Sequence, residues 1–365
     1  MNFDRNLPFN DLPALPPPGT DLEVPSILKH LSIASRHLGE LNGLCASLPD
    51  PQLLINTIVL QESKDSSAIE NIVTTQDELY KAASELETAS HAAKEVLSYR
   101  EALFVGLNKM RSQKNLLLTN TFVEIVQTIK QNNAGIRNTP GTALKNAITG
   151  EIIYTPPCCQ DVIREKLNGL EHFINDDTLS DMDPLIKMAL IHYQFEAIHP
   201  FIDGNGRAGR IINVLYLVQQ QLLTEPVLFL STYIVKNKTE YYQLLRSVTE
   251  NNNWHDWIMY ILTATKETAA FTTDKIRKML ELKEEIEKQM KKALGASYSP
   301  ELSDLMFKLP YVKIELLERN KIAHRQTASN WLKKLSEAKI LLPEKIGRTT
   351  YYINHMLMDL LSKHY

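Results

Sequence analysis

The residues from 199 to 210 combine side chains and turn-forming positions that could bind a phosphate group. Gly204 and Gly206 flank an asparagine in a turn between two predicted helices. Glycines tolerate positive φ, so successive N–H groups can point into one concavity that binds an anion. The turn precedes a predicted helix N-terminus, which also favours negative charge. Arg207 and Arg210 share one face of that helix, and guanidinium groups bind phosphate bidentately.

Two further residues of this segment could act on a bound phosphate. Asp203 supplies a hard oxygen ligand suited to Mg²⁺, which bridges nucleotide phosphates. His199 stands four residues earlier, titrates near neutrality and could take a proton from an attacking hydroxyl. A phosphate nest, a metal carboxylate, two arginines and a base are the parts that phosphoryl-type transfer requires. The segment therefore predicts binding of nucleotide phosphates and activation of a protein hydroxyl.

The same glycines also satisfy the dinucleotide-binding fingerprint G-x-G-x-x-G, through Gly204, Gly206 and Gly209. That interpretation is rejected because a helix, not a strand, precedes the glycines, and the following helix leads into no βαβ unit. The sequence also contains no Walker A pattern G-x-x-x-x-G-K-[ST]. The glycines are therefore interpreted as a phosphate nest between two helices.

The segment His199-Pro-Phe-Ile-Asp-Gly-Asn-Gly-Arg-Ala-Gly-Arg210 resembles the Fic family (filamentation induced by cAMP), whose signature HPFx[DE]GNGRxxR it matches at every fixed position. The resemblance covers roughly residues 110–265 as catalytic core. It implies transfer of AMP from ATP, with Mg²⁺, to a Ser, Thr or Tyr hydroxyl of a target protein. It also implies that His199 is the general base, that Asp203 is the Mg²⁺ ligand and that Phe201 anchors the loop.

The resemblance assigns nucleotide binding to Gly204, Asn205, Gly206, Arg207, Ala208, Gly209 and Arg210. The Gly204–Gly206 backbone and Asn205 would hold the α- and β-phosphates. Arg207 and Arg210 would hold the β- and γ-phosphates. The pair Tyr241-Tyr242 matches a family position that lines the adenine pocket. Either tyrosine could instead be core packing, and Tyr242 is the preferred pocket residue.

A β-rich segment before the signature predicts a hairpin. Thr149-Gly150 separates short extended pieces, and Ile152, Ile153 and Tyr154 follow it. This hairpin resembles the family's flap, which aligns the target side chain by main-chain pairing. The resemblance therefore implies that the flap presents the hydroxyl to the histidine.

A second segment, Ser66-Ser67-Ala68-Ile69-Glu70-Asn71, matches the family's inhibitory pattern [ST]xxxE[GN]. On a helix, Ser66 and Glu70 are i and i+4 and lie on one face. A carboxylate paired with Arg210 would occupy the cation meant for the γ-phosphate and would add like charge beside the triphosphate. The match implies autoinhibition through Ser66, Glu70 and Asn71, whereas an isolated glutamate here would be an ordinary surface charge.

Mainly helical segments must position these residues. A helix from Pro184 to about Ile198 would end at the histidine. Residues 207–223 predict a further helix, which should be buried at the centre of the domain because residues 211, 212 and 214–218 are apolar almost all round. The proline-rich residues 1–25 predict an extended arm. The charged stretch at about 265–293 predicts a solvated connector helix. The predicted domains are an N-terminal helical region (1–109), the catalytic core (110–265), a connector helix and linker (266–296) and a winged helix domain (297–365).

The C-terminal residues predict helices at about 303–307, 311–320 and 325–338, followed by a two-stranded hairpin, which is a winged helix-turn-helix pattern. Its basic residues are Arg325, Lys333, Lys334, Lys339, Lys345 and Arg348, and the glutamates that dilute their charge are Glu315, Glu318, Glu337 and Glu344. Such a module could bind DNA or dock a protein. Two alternatives to an AMP transferase therefore remain: a DNA-binding regulator with a nucleotide-sensing site, and a transferase that uses another nucleotide or phospho-donor.

Composition limits the other partners. With 40 Lys+Arg against 43 Asp+Glu, the formal charge of −3 predicts no general affinity for nucleic acid or anionic membrane. Three cysteines, two of them adjacent, disfavour a disulfide framework and favour a reducing cytoplasm. We expect no membrane span, because no run of about 18 apolar residues occurs, and no secretory signal pattern is present. Self-modification and a homodimer through the apolar N-terminal helices are left open.

Overall fold

The computed structural model describes residues 3–48, 50–84, 90–139, 141–146, 149–346 and 349–362. Arg348 therefore lies outside the described residues. The elements of the N-terminal half are α1 (Pro25–Ala46), α2 (Pro51–Ile69), α3 (Gln76–Ala83), α4 (His91–Ser112), α5 (Thr119–Lys130), β1 (Leu144–Lys145), β2 (Ile152–Tyr154) and α6 (Gln160–Asn175). Those that follow are α7 (Pro184–Ile198), α8 (Asn205–Gln219), α9 (Ser231–Lys236), α10 (Lys238–Asn251), α11 (Trp254–Leu294), α12 (Pro300–Lys308), β3 (Tyr311–Val312), α13 (Ile314–Arg319), α14 (Arg325–Glu337), β4 (Leu342–Ile346), β5 (Thr349–Ile353) and α15 (His355–Ser362). The predicted class, mainly α with small antiparallel sheets, is confirmed.

The helix pair α7 and α8 forms the centre of the core. Asp183 caps α7 by accepting a hydrogen bond from Leu185 N at 2.8 Å, and proline follows at the first helical position, where its missing N–H costs nothing. Every residue of α7 except Pro184 and Glu196 is buried. The helix packs against α6, α8 and α11, while α8 also contacts α4 and α5. A helix with apolar residues on all sides is stable only when other elements cover every side of it. The surrounding helices therefore hold in place the end of α7 and the start of α8.

Helix α11 corrects the prediction of a solvated connector. It is one continuous helix of 41 residues, and residues 265–293 are part of it. Its buried residues in this part include Ile276, Met279, Ile286 and Met290, whose spacing of three, four or seven places them on one face. Helix α11 contacts α1, α12, α14 and α15. Most of the charged residues in this part are exposed or half-buried, although Lys275 is buried, which is why the composition alone indicated solvation.

Among the described residues 3–24 of the proline-rich N-terminal arm there is no helix, and turns interrupt the extended stretches; this arm lies on the core. Leu12 and Leu22 are buried, and Gln194 Nε2 on α7 donates to Pro13 O at 2.8 Å. Phe9 N donates to Thr155 O at 3.0 Å, next to the strand β2. The arm therefore packs beside strand β2 and helix α7, the two elements that lie next to the predicted site.

The C-terminal residues form helices α12 to α15 around a three-stranded antiparallel sheet of order β3-β5-β4. The predicted helix at about 311–320 is wrong at its start, because Tyr311 and Val312 form strand β3, paired with Ile353 and Tyr352. An aromatic and a β-branched residue directly after a proline favour an extended backbone. Helix α15 is an element that the sequence pattern did not predict.

This C-terminal sheet also contacts the N-terminal helices. Lys81 Nζ on α3 lies 3.2 Å from Glu344 Oε1 on β4. The Tyr311 hydroxyl donates to the carboxylate of Asp77, also on α3. Helix α3, which follows the predicted inhibitory residues at the end of α2 and just after it, therefore contacts the C-terminal sheet. Among the described residues, no helix has both the length and the apolar character needed to cross a membrane.

Candidate active site

His199 lies where α7 ends. Its backbone is left-handed (φ 47°, ψ 58°), and its N–H donates to Phe195 O at 3.0 Å, which terminates the helix. Burial, followed by the nearby Arg137 guanidinium, lowers the pKa of His199 from 6.5 to about 4, against smaller opposing effects of the Glu196 main chain, Glu70 and Asp203. The imidazole is therefore neutral at physiological pH and can accept a proton.

Arg137 was not identified as a functional residue from the sequence. The residue is buried, its Nε donates to His199 O at 2.7 Å, and its Nη2 donates to Pro157 O at 2.5 Å. The partners lie 62 and 20 positions away in the sequence. Local sequence patterns do not indicate pairing over such separations, so no motif could have identified this residue.

Asn205 fixes the shape of the loop between α7 and α8. Its Oδ1 accepts from Phe201 N at 2.9 Å, and its Nδ2 donates to Phe201 O at 2.8 Å. Phe201 is buried, in the position expected of a loop anchor. The side chain of Asn205 is thus bound within the loop, and its main-chain N–H is the part that faces outward from the start of α8. The prediction that Asn205 helps to hold the α- and β-phosphates stays a prediction, and the main-chain N–H at the start of α8 is the donor that this side-chain arrangement leaves for it.

We expect Asn205→Ala to destabilise the protein, because it would leave the buried N–H and C=O of Phe201 without their partner. Each such loss costs about 1–3 kcal/mol. Thermal unfolding should show a midpoint lowered by at least about 2 °C. Asn168→Ala, at an exposed position of α6, is the matched control and should leave the midpoint unchanged. Equal midpoints for both variants would contradict this role of Asn205.

The start of α8 forms an anion site. Gly204 has φ 86°, and α8 begins at the next residue, so the first N–H groups of the helix have no partner within it. Gly206 leaves room for a carboxylate: a Cβ added there would lie only 2.3 Å from Glu70 Oε1. The Glu70 carboxylate therefore occupies the space over the helix N-terminus, where dipole and free donors favour an anion such as phosphate.

Arg210 is bound by the predicted inhibitory segment. Its Nε donates to Ser66 Oγ at 2.8 Å, and its Nη2 donates to Ser66 O at 2.9 Å and to Glu70 Oε1 at 3.0 Å. Burial opposes the charged guanidinium, but Glu70 and other nearby acidic groups raise the pKa of Arg210 above its ordinary value. The Glu70 side chain is still 35% exposed. The predicted pairing of Glu70 with Arg210 is present in the fold. Asn71 lies beside it at φ 61° and accepts from Lys238 Nζ at 3.1 Å.

Arg207 differs from Arg210 although both were predicted to bind phosphates. Arg207 is 1% exposed, and its Nη1 lies 2.7 Å from Glu95 Oε2 on α4. Its Nη2 lies 4.0 Å from Asp203 Oδ1. The guanidinium is therefore engaged with Glu95 on α4, and the prediction that Arg207 and Arg210 both hold the β- and γ-phosphates stays a prediction. Neighbouring Ala208 is buried, and a Cβ on Gly209 would meet Glu196 Oε1 at 2.5 Å.

Asp203 is the predicted Mg²⁺ ligand. Its Oδ2 lies 2.6 Å from Lys130 Nζ, and its Oδ1 accepts from Gly204 N at 2.6 Å. Partial burial acts to raise its pKa, but Lys130 and Arg207 keep the pKa of Asp203 below its usual value. Across the described ranges, no group of three or more His, Cys, Asp or Glu side chains could hold a metal alone. One ionised carboxylate, 61% exposed, nevertheless fits Mg²⁺, which binds through one or two carboxylates together with substrate phosphates and water.

The two predicted adenine-pocket tyrosines have different environments. Tyr241 is buried, its hydroxyl lies 2.9 Å from His192 Nε2, and its ring lies 5.8 Å from that of Trp257. Tyr242 is 45% exposed and its pKa is raised, after burial, by Glu70. Of the pair, Tyr242 has the more exposed ring, and its predicted contact with the adenine stays a prediction.

Strand β2 of the predicted hairpin is present, and the side chain of its last residue is buried. Strand β2 pairs antiparallel with β1, with Lys145 opposite Ile152. Pro140, Ala147 and Ile148 lie outside the described residues. Ile152 and Ile153 are half-buried, whereas Tyr154 is buried and its hydroxyl donates to Ala197 O at 2.8 Å. Tyr154 therefore supports the end of α7, and the predicted flap role can fall only on the main chain at this position.

Two acids near Arg210, the buried Glu62 and the half-buried Glu196, were not identified from the sequence. Burial raises the pKa of Glu196 to about 7 and that of Glu62 to about 8. Glu62 accepts from the hydroxyls of Tyr99 and Ser231. Because burial keeps part of both groups protonated near neutrality, the positive charge of Arg210 is balanced by Glu70 more than by them.

Three family profiles match successive parts of this chain. The Fic/DOC family N-terminal profile matches residues 28–108, and the Fic/DOC family profile matches residues 117–217. The profile described as "Protein adenylyltransferase SoFic-like, C-terminal domain" matches residues 282–357. Together they cover α1 to α4, the signature loop with its two helices, and the C-terminal elements.

Curated relatives match over shorter stretches. "Protein adenylyltransferase fic-1" of Caenorhabditis briggsae is 33% identical over 89 residues, which are 24% of this chain and 16% of that protein. "Protein adenylyltransferase Fic" of Drosophila grimshawi is 30% identical over 102 residues, 28% of this chain and 20% of that protein. The matched stretch thus spans a fifth or less of these relatives.

Solved structures share the fold at low identity. A Fic family protein from Desulfovibrio desulfuricans G20 aligns with a TM-score of 0.59 and 18% identity, over 92% of this chain and 98% of that one. Fic-1 from C. elegans (residues 134 to 508) aligns with a TM-score of 0.54 and 18% identity, over 70% and 75% of the two chains. These alignments show that the helical fold is the same.

Proposed function

Because this chain belongs to the Fic/DOC family, we propose that it transfers AMP from ATP to a serine, threonine or tyrosine hydroxyl of a target protein. The observation that carries the proposal is the position of a neutral imidazole, His199, directly before the anion site at the start of α8. A base beside a phosphate cradle supplies both requirements of nucleophilic attack at phosphorus. The names of the curated relatives support AMP as the transferred group.

In the proposed reaction, the His199 imidazole accepts the proton of the target hydroxyl. The hydroxyl oxygen forms a bond to the α-phosphorus of ATP, and the bond from that phosphorus to the bridging oxygen breaks, which releases pyrophosphate. The free N–H groups at the start of α8 hold the negative phosphate oxygens. Asp203 would hold a Mg²⁺ ion that neutralises phosphate charge. The exposed face of Tyr242 would contact the adenine.

The proposal includes autoinhibition by Glu70. Its carboxylate lies over Gly206 and pairs with Arg210, so it occupies both the space and the cation that a nucleotide phosphate would need. ATP could then bind only in a pose in which the phosphates avoid this carboxylate. Ser66 holds Arg210 from the same helix and keeps the two segments together.

The pH dependence of transfer follows from the lowered pKa of His199. Its folded value of about 4 lies below the ordinary 6.5, so the imidazole stays neutral, and active, until the pH falls towards 4. In a Glu70→Gly variant, we expect transfer rates that are flat between about pH 8 and pH 6 and that decline only below about pH 5. Initial rates with labelled ATP measure this profile. A half-loss of rate at pH 6.5 would show an unperturbed histidine and contradict the proposal.

Intact-mass analysis of the Glu70→Gly protein after incubation with ATP and Mg²⁺ tests the function itself. Added mass of one AMP, on this chain or on an added protein, supports the proposal. A different added mass indicates another nucleotide or phospho-donor. Nucleotide binding without any covalent product, on either this chain or proteins of its native extract, supports a sensing site instead.

A further inference from the structure

Arg137 is a buried cation whose partners are main-chain oxygens. Its guanidinium donates to His199 O at 2.7 Å, to Pro157 O at 2.5 Å and to Ile198 O at 3.3 Å. Its own N–H donates to Pro200 O at 2.9 Å. In the part of the chain that the structure describes, no aspartate or glutamate forms a salt bridge with it. The residue joins the segment that follows the flap strand to the end of α7.

The chemistry of a helix end explains why a cation lies there. The last carbonyls of a helix have no intrahelical donor and carry partial negative charge. A guanidinium has five donors in a planar fork and stays charged even when buried, so one side chain can satisfy several of these carbonyls. Arg137 therefore caps the C-terminal end of α7 in place of water, and it does so by binding the main-chain oxygens of Ile198 and His199.

Tyr154 extends this connection to the flap strand itself. It is the last residue of β2, and its hydroxyl donates to Ala197 O at 2.8 Å. The rings of Phe3 and Phe9, from the N-terminal arm, pack on its ring at centroid distances of 5.9 Å and 6.4 Å. Consecutive carbonyls 197, 198 and 199 are thus all held from the side of the flap.

We propose that Arg137 is a positioning residue for the transfer reaction: with Tyr154, it holds the His199 imidazole at a fixed place relative to the strand along which a target segment would align. This inference rests on the proposed function, because it assigns the strand β2 to target alignment. Without the guanidinium, α7 would lose its cap, and the base and the strand could move independently. Misplacement by about 1 Å costs on the order of 10²-fold in rate.

Arg137 also contributes to the charge environment of His199. The groups that face this imidazole are Arg137, which lowers its pKa, and Glu70, Asp203 and the main chain of Glu196, which raise it. Burial is the largest cause and acts in the same direction as Arg137. Removal of the positive charge therefore raises the pKa of His199, and the acid limb of the pH–rate profile moves to higher pH.

The test compares Arg137→Gln and Arg137→Lys, each in the Glu70→Gly background. For Arg137→Gln, we expect kcat to fall at least about tenfold, an acid limb at higher pH, and an unchanged Kd for a non-hydrolysable ATP analogue. Arg137→Lys keeps the positive charge but loses the planar set of guanidinium donors. We therefore expect kcat to fall while the acid limb of the pH–rate profile stays at the same pH. Arg164→Gln, an exposed arginine of α6, is the control and should change none of these quantities.

Several outcomes would overturn the inference. One is a kcat that stays within twofold of the Glu70→Gly value when Arg137 is replaced by Gln or Lys and the protein folds. Another is a fall in ATP-analogue affinity that matches the fall in kcat, which would indicate general loss of structure. If Arg137→Gln does not fold, Arg137→Lys is the deciding variant. A fall in its kcat with an unchanged Kd for the ATP analogue supports the inference. NMR titration of the His199 ring protons in the same proteins needs no turnover: a raised pKa only in Arg137→Gln supports the inference even if no AMP transfer is found, and an unchanged pKa contradicts it.

Discussion

Replacing His199 with alanine, in a Glu70→Gly background, should lower AMP transfer by about 10²- to 10⁴-fold, the usual contribution of a positioned general base. The imidazole is the neutral titratable group at the junction of α7 and α8, and its pKa of about 4 keeps it unprotonated under assay conditions. The anion site at Gly206 and Arg210 does not include its side chain. ATP binding should therefore persist. Labelled ATP with Mg²⁺ measures the transfer, and calorimetry with a non-hydrolysable analogue measures the binding.

The control for this prediction is His172→Ala. His172 lies exposed on α6 and bonds only to the main chain of its own helix. Its loss should leave transfer unchanged. The assignment of His199 as base would be wrong if His199→Ala kept full activity. If it lost nucleotide affinity together with activity, the residue would act in binding instead.

Glu70→Gly should raise AMP incorporation at least about tenfold in the otherwise unchanged protein. A charge-assisted hydrogen bond such as the one from Arg210 to Glu70 is worth about 1.5–3 kcal/mol, and about 1.4 kcal/mol corresponds to a factor of ten. The substitution frees the space over Gly206 and one donor of Arg210, while Ser66 still holds the guanidinium through Nε and Nη2. The fold should therefore persist while the phosphate site opens, as time courses with labelled ATP would show.

Two controls separate charge from shape. Glu70→Gln keeps the size of the side chain but removes its charge, so it should give incorporation between that of the parent and that of Glu70→Gly. Glu23→Gly, an exposed loop position before α1, should have no effect. Unchanged incorporation in Glu70→Gly would refute autoinhibition through this residue, even though its contact with Arg210 is present.

Together these two predictions describe one competition. Glu70 and a nucleotide phosphate would use the same donors, namely Arg210 and the start of α8. A carboxylate at a helix N-terminus is stabilised by the same dipole that favours phosphate. In the proposed inhibited state, the loop between α7 and α8 would need no distortion, and activation would need only the removal of the Glu70 side chain from the site.

The sequence alone determined the local parts of this site. The fixed spacing from His199 to Arg210 predicted a helix, a glycine turn and a second helix, because glycine placement and apolar periodicity act within a few residues. The i, i+4 spacing of Ser66 and Glu70 likewise predicted that both could reach one partner, and both contact Arg210. In each case the controlling interactions are short in sequence.

The tertiary structure decided which side chains of this site are already bound to other parts of the protein. Asn205 is bound to Phe201, Arg207 to Glu95, and Arg137 to the end of α7, the last two across 112 and 62 residues of sequence. Such pairings depend on how buried helices pack and on the need to satisfy every enclosed polar group. A one-dimensional pattern shows that an arginine is present, but only the packed fold determines whether it meets a carboxylate, a main-chain carbonyl or a phosphate.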